Sequence, residues 1–392
     1  MIKVPGFLSS SIYVGIKKKG GKDFGLIFSK VPAKVAGVFT TNVVKAAPVI
    51  LGMERIKNGY CQAIVVNSGN ANACTGKRGF KDASLTASLV ARELGIRESL
   101  VIPSSTGVIG VPLPIQRIKS GVSDLVSKLS EDGLLGITEA MMTTDLFPKY
   151  TTAYIRLGSK VGTICALGKG AGMIAPQMAT MLCFILTDVN IQKAALNKAL
   201  LSAVENSFNK IIVDGDTSTN DTVLMLSNGT LGNEALRIGD KYYSTFQSAV
   251  NQITTQIANM IVKDGEGATK VVKIIVKGAK NEKDASKIAN TIGTSLLVKT
   301  AFYGEDPNWG RLIAAAGRAG VKFDPQSVDL FFGEYKVVKN GIEVLNENKF
   351  QHVMKSPNFT ITLDLKNGKA SSFVITSDIT MDYLKLNSHY RT

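Results

Sequence analysis

The segment "GKGAGMIAPQMATMLCFILTD", residues 168–188, carries the groups of this sequence that are best placed for chemistry. It begins with glycines around Lys169 and becomes small and apolar, with the hydroxyl of Thr180 between Ala179 and Met181. A threonine can be a nucleophile if its own α-amine is freed to act as the base, which requires a cut in the peptide bond before it. Self-cleavage is chemically reasonable, because the hydroxyl can attack the preceding carbonyl and water can hydrolyse the resulting ester. From the residues alone, a strand threonine that faces the core is the simpler interpretation.

Patterns of other catalytic sites are missing from the sequence. There is no G-x-S-x-G, and two scattered histidines, His352 and His389, make a Ser-His-Asp triad improbable. "GKGAG" without a full G-x-x-x-x-G-K-[ST] or G-x-G-x-x-G is weak support for phosphate binding. The four cysteines contain no C-x-x-C pair, so we expect no metal site.

Composition indicates an ordinary globular protein of two or three domains, with 392 residues, 45% of them hydrophobic. A net charge of +15 could attract nucleic acid, an anionic membrane or acidic metabolites. The lysines are scattered, however, and the densest run, "KKKGGK" at residues 17–22, is more typical of a solvated turn. Neither a signal-peptide pattern, nor an apolar run of about 18 residues, nor a disulfide framework is found. These features predict a soluble cytoplasmic protein that binds neither nucleic acid nor membrane.

Small polar residues are concentrated in four loops at predicted strand ends, residues 67–76, 104–107, 168–172 and 214–222, where active sites are favoured. Periodicity predicts a strand over 63–66, a helix that ends at Gly95, a hairpin turning at 158–160, and helices over 190–210 and 246–261. The Asn367-Gly368 pair between two alternating runs predicts a second hairpin. A soft domain boundary is expected near 278–284.

Several longer motifs together resemble the ornithine acetyltransferase (ArgJ) family, also called glutamate N-acetyltransferase. They follow that family's order over nearly the whole chain, and several are long and uncommon elsewhere. The motifs are "VFTTNVVKAAPV", "VNSGNANACTG", "SSTGVIG", "MMTTD", "KGAGMIAPQMATML", "DGDTSTNDT", "DGEGATK", "GEDPNWGR" and "NSHYRT".

The resemblance implies roles for particular residues. Thr180 is implied to be the nucleophile, exposed by a cut after Ala179 that divides the chain into residues 1–179 and 180–392. An oxyanion-stabilising pair is implied at Thr106 and Gly107 of "SSTGVIG". Substrate contacts are implied, besides Thr180, at Thr143 of "MMTTD", Lys169, Glu266 of "DGEGATK", and Asn387 and Thr392 of the tail. In "MMTTD" the neighbouring Thr144 competes with Thr143.

The activity that the resemblance implies is transfer of an acetyl group from N2-acetyl-L-ornithine to L-glutamate, a ping-pong reaction of arginine biosynthesis with no cofactor. The implied fold is an α/β protein, an αββα sandwich similar to N-terminal nucleophile hydrolases but of distinct topology, with a smaller C-terminal α/β domain. The two chains are implied to stay together, typically as α2β2. The sequence does not decide whether acetyl-CoA is a second donor.

Two alternatives stay open. One is an aminopeptidase or amidase of related fold, which would use the same nucleophile with water as acceptor. The other is a basic, non-enzymatic protein that binds nucleic acid. The sequence also departs from the family at Ala171, where serine is frequent, at Gln177, at Leu146 and at His389, but no residue with an implied role is lost.

Overall fold

The structure is a computed structural model that describes residues 2–18, 20–175, 181–344 and 349–388. One eight-stranded sheet has the order β4-β3-β2-β9-β7-β6-β5, with β1 paired to β2. Its strands are β1 (Phe7–Ile12), β2 (Phe24–Phe39), β3 (Tyr60–Asn70), β4 (Val101–Val108), β5 (Lys149–Leu157), β6 (Lys160–Lys169), β7 (Leu182–Thr187) and β9 (Thr222–Ser227).

The long strand β2 divides this sheet into two halves. Its first part pairs with β1 and β3, and its last part, from Lys34 to Phe39, pairs with β9. Between Phe28 and Ala33 its register with β3 shifts, an irregularity of the kind that bends a strand. Apolar residues of both halves form one buried core, with Ile64 of β3, Leu167 of β6 and Phe184 of β7 each fully buried in it. The two halves therefore pack face to face.

Helices cover both outer faces of this folded sheet. Helix α2 (Gly76–Leu94) and helix α3 (Ile115–Ser127) pack on the half that contains β3 and β4. Helix α5 (Lys193–Asn206) and helix α6 (Tyr243–Lys263) pack on the half that contains β6 and β7. Two shorter helices, α1 (Ala47–Arg55) and α4 (Leu134–Met141), lie against the sheet as well. The layers are helix, sheet, sheet, helix, so the predicted αββα sandwich is confirmed.

A second sheet contains most of the C-terminal part of the chain. Its seven strands have the order β13-β12-β11-β14-β10-β15-β8. It has its own core, built with α7, α8 and α9. The elements are β8 (Ile211–Ile212), β10 (Val271–Ala279), α7 (Glu282–Gly293), α8 (Leu296–Tyr303), α9 (Trp309–Gly317), β11 (Asp329–Phe332), β12 (Tyr335–Lys339), β13 (Ile342–Glu343), α10 (Gln351–Lys355), β14 (Asn358–Asp364), β15 (Ala370–Ser377) and α11 (Met381–Ser388).

Local sequence patterns predicted several of these elements. Helix α2 ends one residue before Gly95, strands β5 and β6 form the hairpin that turns at 158–159, and α5 and α6 occupy the two predicted helical segments. The prediction of a hairpin at Asn367-Gly368 is wrong. Strands β14 and β15 do not pair with each other, because β10 lies between them, parallel to β14 and antiparallel to β15. The Asn367 backbone N–H instead donates to the Gly278 carbonyl at the end of β10 (2.7 Å).

The boundary expected near 278–284 falls between β10 and α7, two elements that contribute to the same C-terminal core. Across the part of the chain that the structure describes, no helix combines the length and apolar character that a membrane span requires.

Candidate active site

Strand β4 ends at the predicted oxyanion pair. Thr106 is buried, and the parallel register places it opposite Ser68 of β3. Gly107 has a φ of +131°, and a Cβ on it would lie 2.4 Å from the carbonyl carbon of Gly69. Only glycine fits this close approach of two strands.

The Lys169 side chain joins two hydroxyls from different elements. Lys169 is the last residue of β6, and only 3% of it is exposed. Its ammonium donates to the Thr106 Oγ1 (3.1 Å) and to the Thr143 Oγ1 (3.0 Å). Burial lowers the pKa of Lys169, and the Asp145 carboxylate partly offsets this effect. Three of the predicted site residues are thus in contact, and Thr143 rather than Thr144 is the threonine that faces the lysine.

A buried carboxylate, Asp145, binds the backbone next to Thr143 and Lys169. Asp145 accepts hydrogen bonds from the backbone N–H groups of Thr143 (3.0 Å) and Gly170 (2.7 Å), and from the Lys149 ammonium (2.7 Å). Lys149 also donates to Asp264. Burial acts to raise the pKa of Asp145, but the Lys169 and Lys149 cations outweigh it and hold that pKa at about 2. Asp145 therefore remains charged and fixes the backbone on both sides of the cluster.

A second pair of predicted residues lies beside the loop that follows Lys169. The Asn387 side-chain amide of α11 donates to the Glu266 Oε2 (2.9 Å), and the Glu266 backbone N–H donates to the Ala171 carbonyl (2.9 Å). The Glu266 carboxylate packs so closely on Gly172 that a Cβ there would lie 2.6 Å from its atoms. Glu266 also interacts electrostatically with Lys169. The loop at 168–172 thus connects the two groups of predicted residues.

Three predicted residues, Ala179, Thr180 and Thr392, lie outside the described residues. The chain is described again from Met181, directly before β7. Its backbone N–H donates to the Asp221 Oδ1 (3.0 Å), and its carbonyl accepts from the Thr222 N–H (3.1 Å). The residue next to Thr180 is therefore held on both sides.

Comparison with known proteins identifies the family. Residues 8–392 match the ArgJ family. The chain is 47% identical to the arginine biosynthesis bifunctional protein ArgJ of Geobacter sulfurreducens, over the full length of both chains. It is 46% identical to the protein of the same name in Symbiobacterium thermophilum, over 99% of this chain and 97% of the relative. The chain belongs to the ArgJ family.

A solved structure supports the same conclusion. The crystal structure of the arginine biosynthesis bifunctional protein ArgJ from Bacillus halodurans shares 36% identity, with a TM-score of 0.52 over 54% of this chain and 100% of that one. The family that the motifs predicted is confirmed, and with it the expectation of an acyltransferase of arginine biosynthesis.

Sequence reasoning missed the residues that hold the site together. Besides Asp145, these are Asn220 and Asp221, in the loop that precedes β9. The Asn220 amide donates to the carbonyls of Ala71 (2.7 Å) and Ser105 (2.8 Å), and so fixes the backbone directly before Thr106. The available signal was "DGDTSTNDT", whose small polar residues marked a site loop without indicating which of them carry the contacts.

Among the residues that the structure describes, no group of three or more His, Cys, Asp or Glu side chains could hold a metal ion. All four cysteines are free thiols. Burial raises the pKa of Cys61 and of Cys165 to about 12, so these thiols are not nucleophiles at neutral pH.

Proposed function

We propose that this chain cuts itself before Thr180 and then transfers an acetyl group from N2-acetyl-L-ornithine to L-glutamate. The observation that carries this proposal is the pair of hydrogen bonds from Lys169 to Thr106 and Thr143. Because the Thr106 oxygen accepts from Lys169, its own hydrogen points away and can be donated to an oxyanion. The Thr106 hydroxyl and the Gly107 N–H would then stabilise the tetrahedral intermediate.

The transfer has two half-reactions. The freed α-amine of Thr180 takes the hydroxyl proton while Oγ attacks the acetyl carbonyl, and the ornithine amine leaves with that proton. The amine of glutamate then attacks the acetyl-threonine ester, and the Thr180 hydroxyl is restored. Neither step requires a metal or an organic cofactor.

Substrate recognition would use both groups of predicted residues. Lys169, with Thr143, supplies a cation and a hydroxyl for the carboxylate or amide of the acetyl amino acid. Glu266, held by Asn387, supplies a carboxylate that suits the amino group of ornithine or glutamate. Thr392 is proposed to complete the substrate contacts.

Two chains produced by the cut would remain together. Strand β6 belongs to residues 1–179, and it pairs with β7 of residues 180–392 from Ile164–Thr187 to Lys169–Leu182. Strand β9 of the second chain pairs with β2 of the first over six residues, from Lys34 to Phe39. The cut would therefore leave one interleaved sheet, which supports a stable αβ unit. We propose that two such units form α2β2 in the cytoplasm, where four free thiols would stay reduced.

The test combines mass and activity. Intact-mass measurement of the wild-type chain should show fragments of 179 and 213 residues, and Thr180→Ala should stay whole and inactive. Incubation with acetylornithine should give acetylglutamate only when glutamate is present, whereas free acetate without glutamate would indicate an amidase. Acetyl-CoA is the second donor to test in the same assay. A full-length wild-type chain with full transferase activity would contradict the proposal.

A further inference from the structure

Asp221 is a buried carboxyl group next to the proposed cleavage position. Only 1% of the residue is exposed. One oxygen, Oδ1, accepts the Met181 N–H (3.0 Å). Burial raises the pKa of Asp221 well above its usual range, and the Met181 N–H, the hydroxyls of Thr40 and Ser218, and the Lys169 cation offset this effect only in part. None of the roles implied by the family motifs falls on this residue.

The other oxygen of Asp221, Oδ2, has no hydrogen-bond partner among the residues that the structure describes. The hydroxyls of Thr40 and Ser218 face the carboxyl group, but the Thr40 hydroxyl donates to the Ser218 carbonyl (2.6 Å), and the Ser218 oxygen accepts from the Asn220 N–H (3.0 Å). Buried polar atoms are rarely left without a partner, because the loss of water is then uncompensated. A carboxylate oxygen that is kept in this state is available for a group that needs to give up or receive a proton.

Covalent connectivity links the Asp221 carboxyl group to the proposed cleavage position. The Met181 nitrogen is bonded to the Thr180 carbonyl carbon, so the three bonds back to the Thr180 nitrogen span no more than about 4.3 Å. The Met181 nitrogen itself lies 3.0 Å from Asp221 Oδ1. The bond that the proposed self-cleavage breaks is the one to the Thr180 nitrogen. The proposed cut therefore falls three covalent bonds from an atom that Asp221 holds.

We propose that Asp221 carries the proton during self-cleavage, an inference that rests on the self-cleavage proposed above. As the Thr180 Oγ bonds to the Ala179 carbonyl carbon, the Asp221 carboxylate takes the hydroxyl proton on Oδ2. As the C–N bond breaks, Asp221 returns that proton to the Thr180 nitrogen, which becomes the free amine. The carboxylate is regenerated, and water then hydrolyses the ester to a carboxylate at Ala179 and a hydroxyl at Thr180.

The decisive variant is Asp221→Asn, assayed in the full chain. Asparagine keeps a carbonyl oxygen for the Met181 N–H but cannot take a proton at neutral pH. General acid–base catalysis contributes about 10²–10⁴-fold, so we expect self-cleavage to slow at least ~100-fold at an unchanged melting temperature. A purely structural role for Asp221 would leave the rate of this isosteric variant nearly unchanged.

Asp188 is the matched control, because it lies just after the opposite end of β7. It is also buried, burial also raises its pKa, and it accepts a backbone hydrogen bond, from Thr163 (2.7 Å). Asp188→Asn should cleave within about threefold of the wild-type rate, since it tests burial of an aspartate without the proton role. Equal slowing of both variants would overturn the inference.

The outcomes separate the inference from the proposed function. If the wild-type chain is not cut, self-cleavage itself fails. If the wild-type chain is cut and Asp221→Asn is cut equally fast, only the role of Asp221 fails. Should Asp221→Asn not fold, Asp221→Ala is assayed with and without formate, a small carboxylate that fits the vacated space. Formate should accelerate its cleavage, and a rate that formate does not change would overturn the proposal.

Discussion

Replacement of Asp145 by asparagine tests whether the buried Asp145 carboxylate holds Thr143 and the loop after Lys169 in place. The carboxylate accepts from two backbone N–H groups and from Lys149, and its side chain is fully buried. Asparagine offers one acceptor oxygen and no charge. We expect both a loss of stability and a loss of activity, because the same hydrogen bonds hold the fold and orient Thr143 and Gly170.

The magnitude follows from the pKa of Asp145, about 2 in the folded protein against an ordinary value of 3.8. A shift of this size corresponds to about 2–3 kcal/mol at neutral pH. Loss of one partner of a buried ion pair costs about 3–5 kcal/mol. The estimate of about 2–3 kcal/mol from the pKa is the better expectation, because Lys149 keeps Asp264 as a partner after the substitution. Since the pKa is depressed, this stabilisation is complete above about pH 4 and is lost as pH falls towards about 2.

The assay is urea unfolding at equal protein concentration, in which the Asp145→Asn variant is compared with its parent, both carrying Thr180→Ala so that neither chain is cut. The difference in free energy of unfolding should be about 2–3 kcal/mol at pH 7 and should shrink between about pH 4 and about pH 2. In the chain that keeps Thr180, kcat/KM for acetylornithine should fall about 10²-fold through misplacement of substrate. A difference that is absent at pH 7, or that does not change with pH, would refute the reasoning.

Asp329 provides the control for this experiment. It is a buried aspartate of the second sheet, and Lys336 and Lys366 outweigh the effect of its burial and hold its pKa well below the usual range. Asp329→Asn should also lower the stability, yet it should leave kcat/KM unchanged, since none of its partners belongs to the site. Equal losses of activity in both variants would mean that Asp145 acts only through general stability.

Three further outcomes are expected in the acetyl-transfer assay. Thr106→Ala should lower kcat about 10²–10³-fold, as loss of one oxyanion donor does, and a near-normal kcat would remove the residue from the mechanism. Thr143→Ala should lower kcat/KM at least ~10-fold while Thr144→Ala should not, because only the former contacts the lysine, and equal effects would reverse the assignment. A chain that ends at Leu386 should fold and cut itself but turn over at least ~10-fold more slowly without Asn387, so unchanged kinetics would count against a role for the tail.

Much of the local structure could be predicted from the sequence, because periodicity and turn chemistry act over a few residues. Helix α6 and the β5–β6 hairpin are examples. The Asn367-Gly368 turn shows where this reasoning fails. The turn residues are those of a hairpin, but β10, a strand from about 90 residues earlier, lies between the two flanking strands. Pairing between distant strands depends on the whole sheet, and no local pattern contains it.

The site itself shows a similar division. Motifs predicted Thr106, Thr143 and Lys169, and the structure brings these three side chains into contact. Asp145 and Asp221 escaped attention because an isolated aspartate in a sequence is most often a solvated surface residue. What distinguishes them is burial and the backbone groups that they bind, and both appear only when distant segments meet.

The register shift in β2 explains how these distant segments can meet. In the sheet, β4 and β6 are separated by five strand spacings, which in a flat sheet would place them about 24 Å apart. Yet the Lys169 ammonium at the end of β6 lies 3.1 Å from the Thr106 oxygen at the end of β4. The register shift between Phe28 and Ala33 includes Pro32, which cannot donate to a sheet and favours such an irregularity. Residues with no chemical role of their own thus fold the sheet onto itself and create the site.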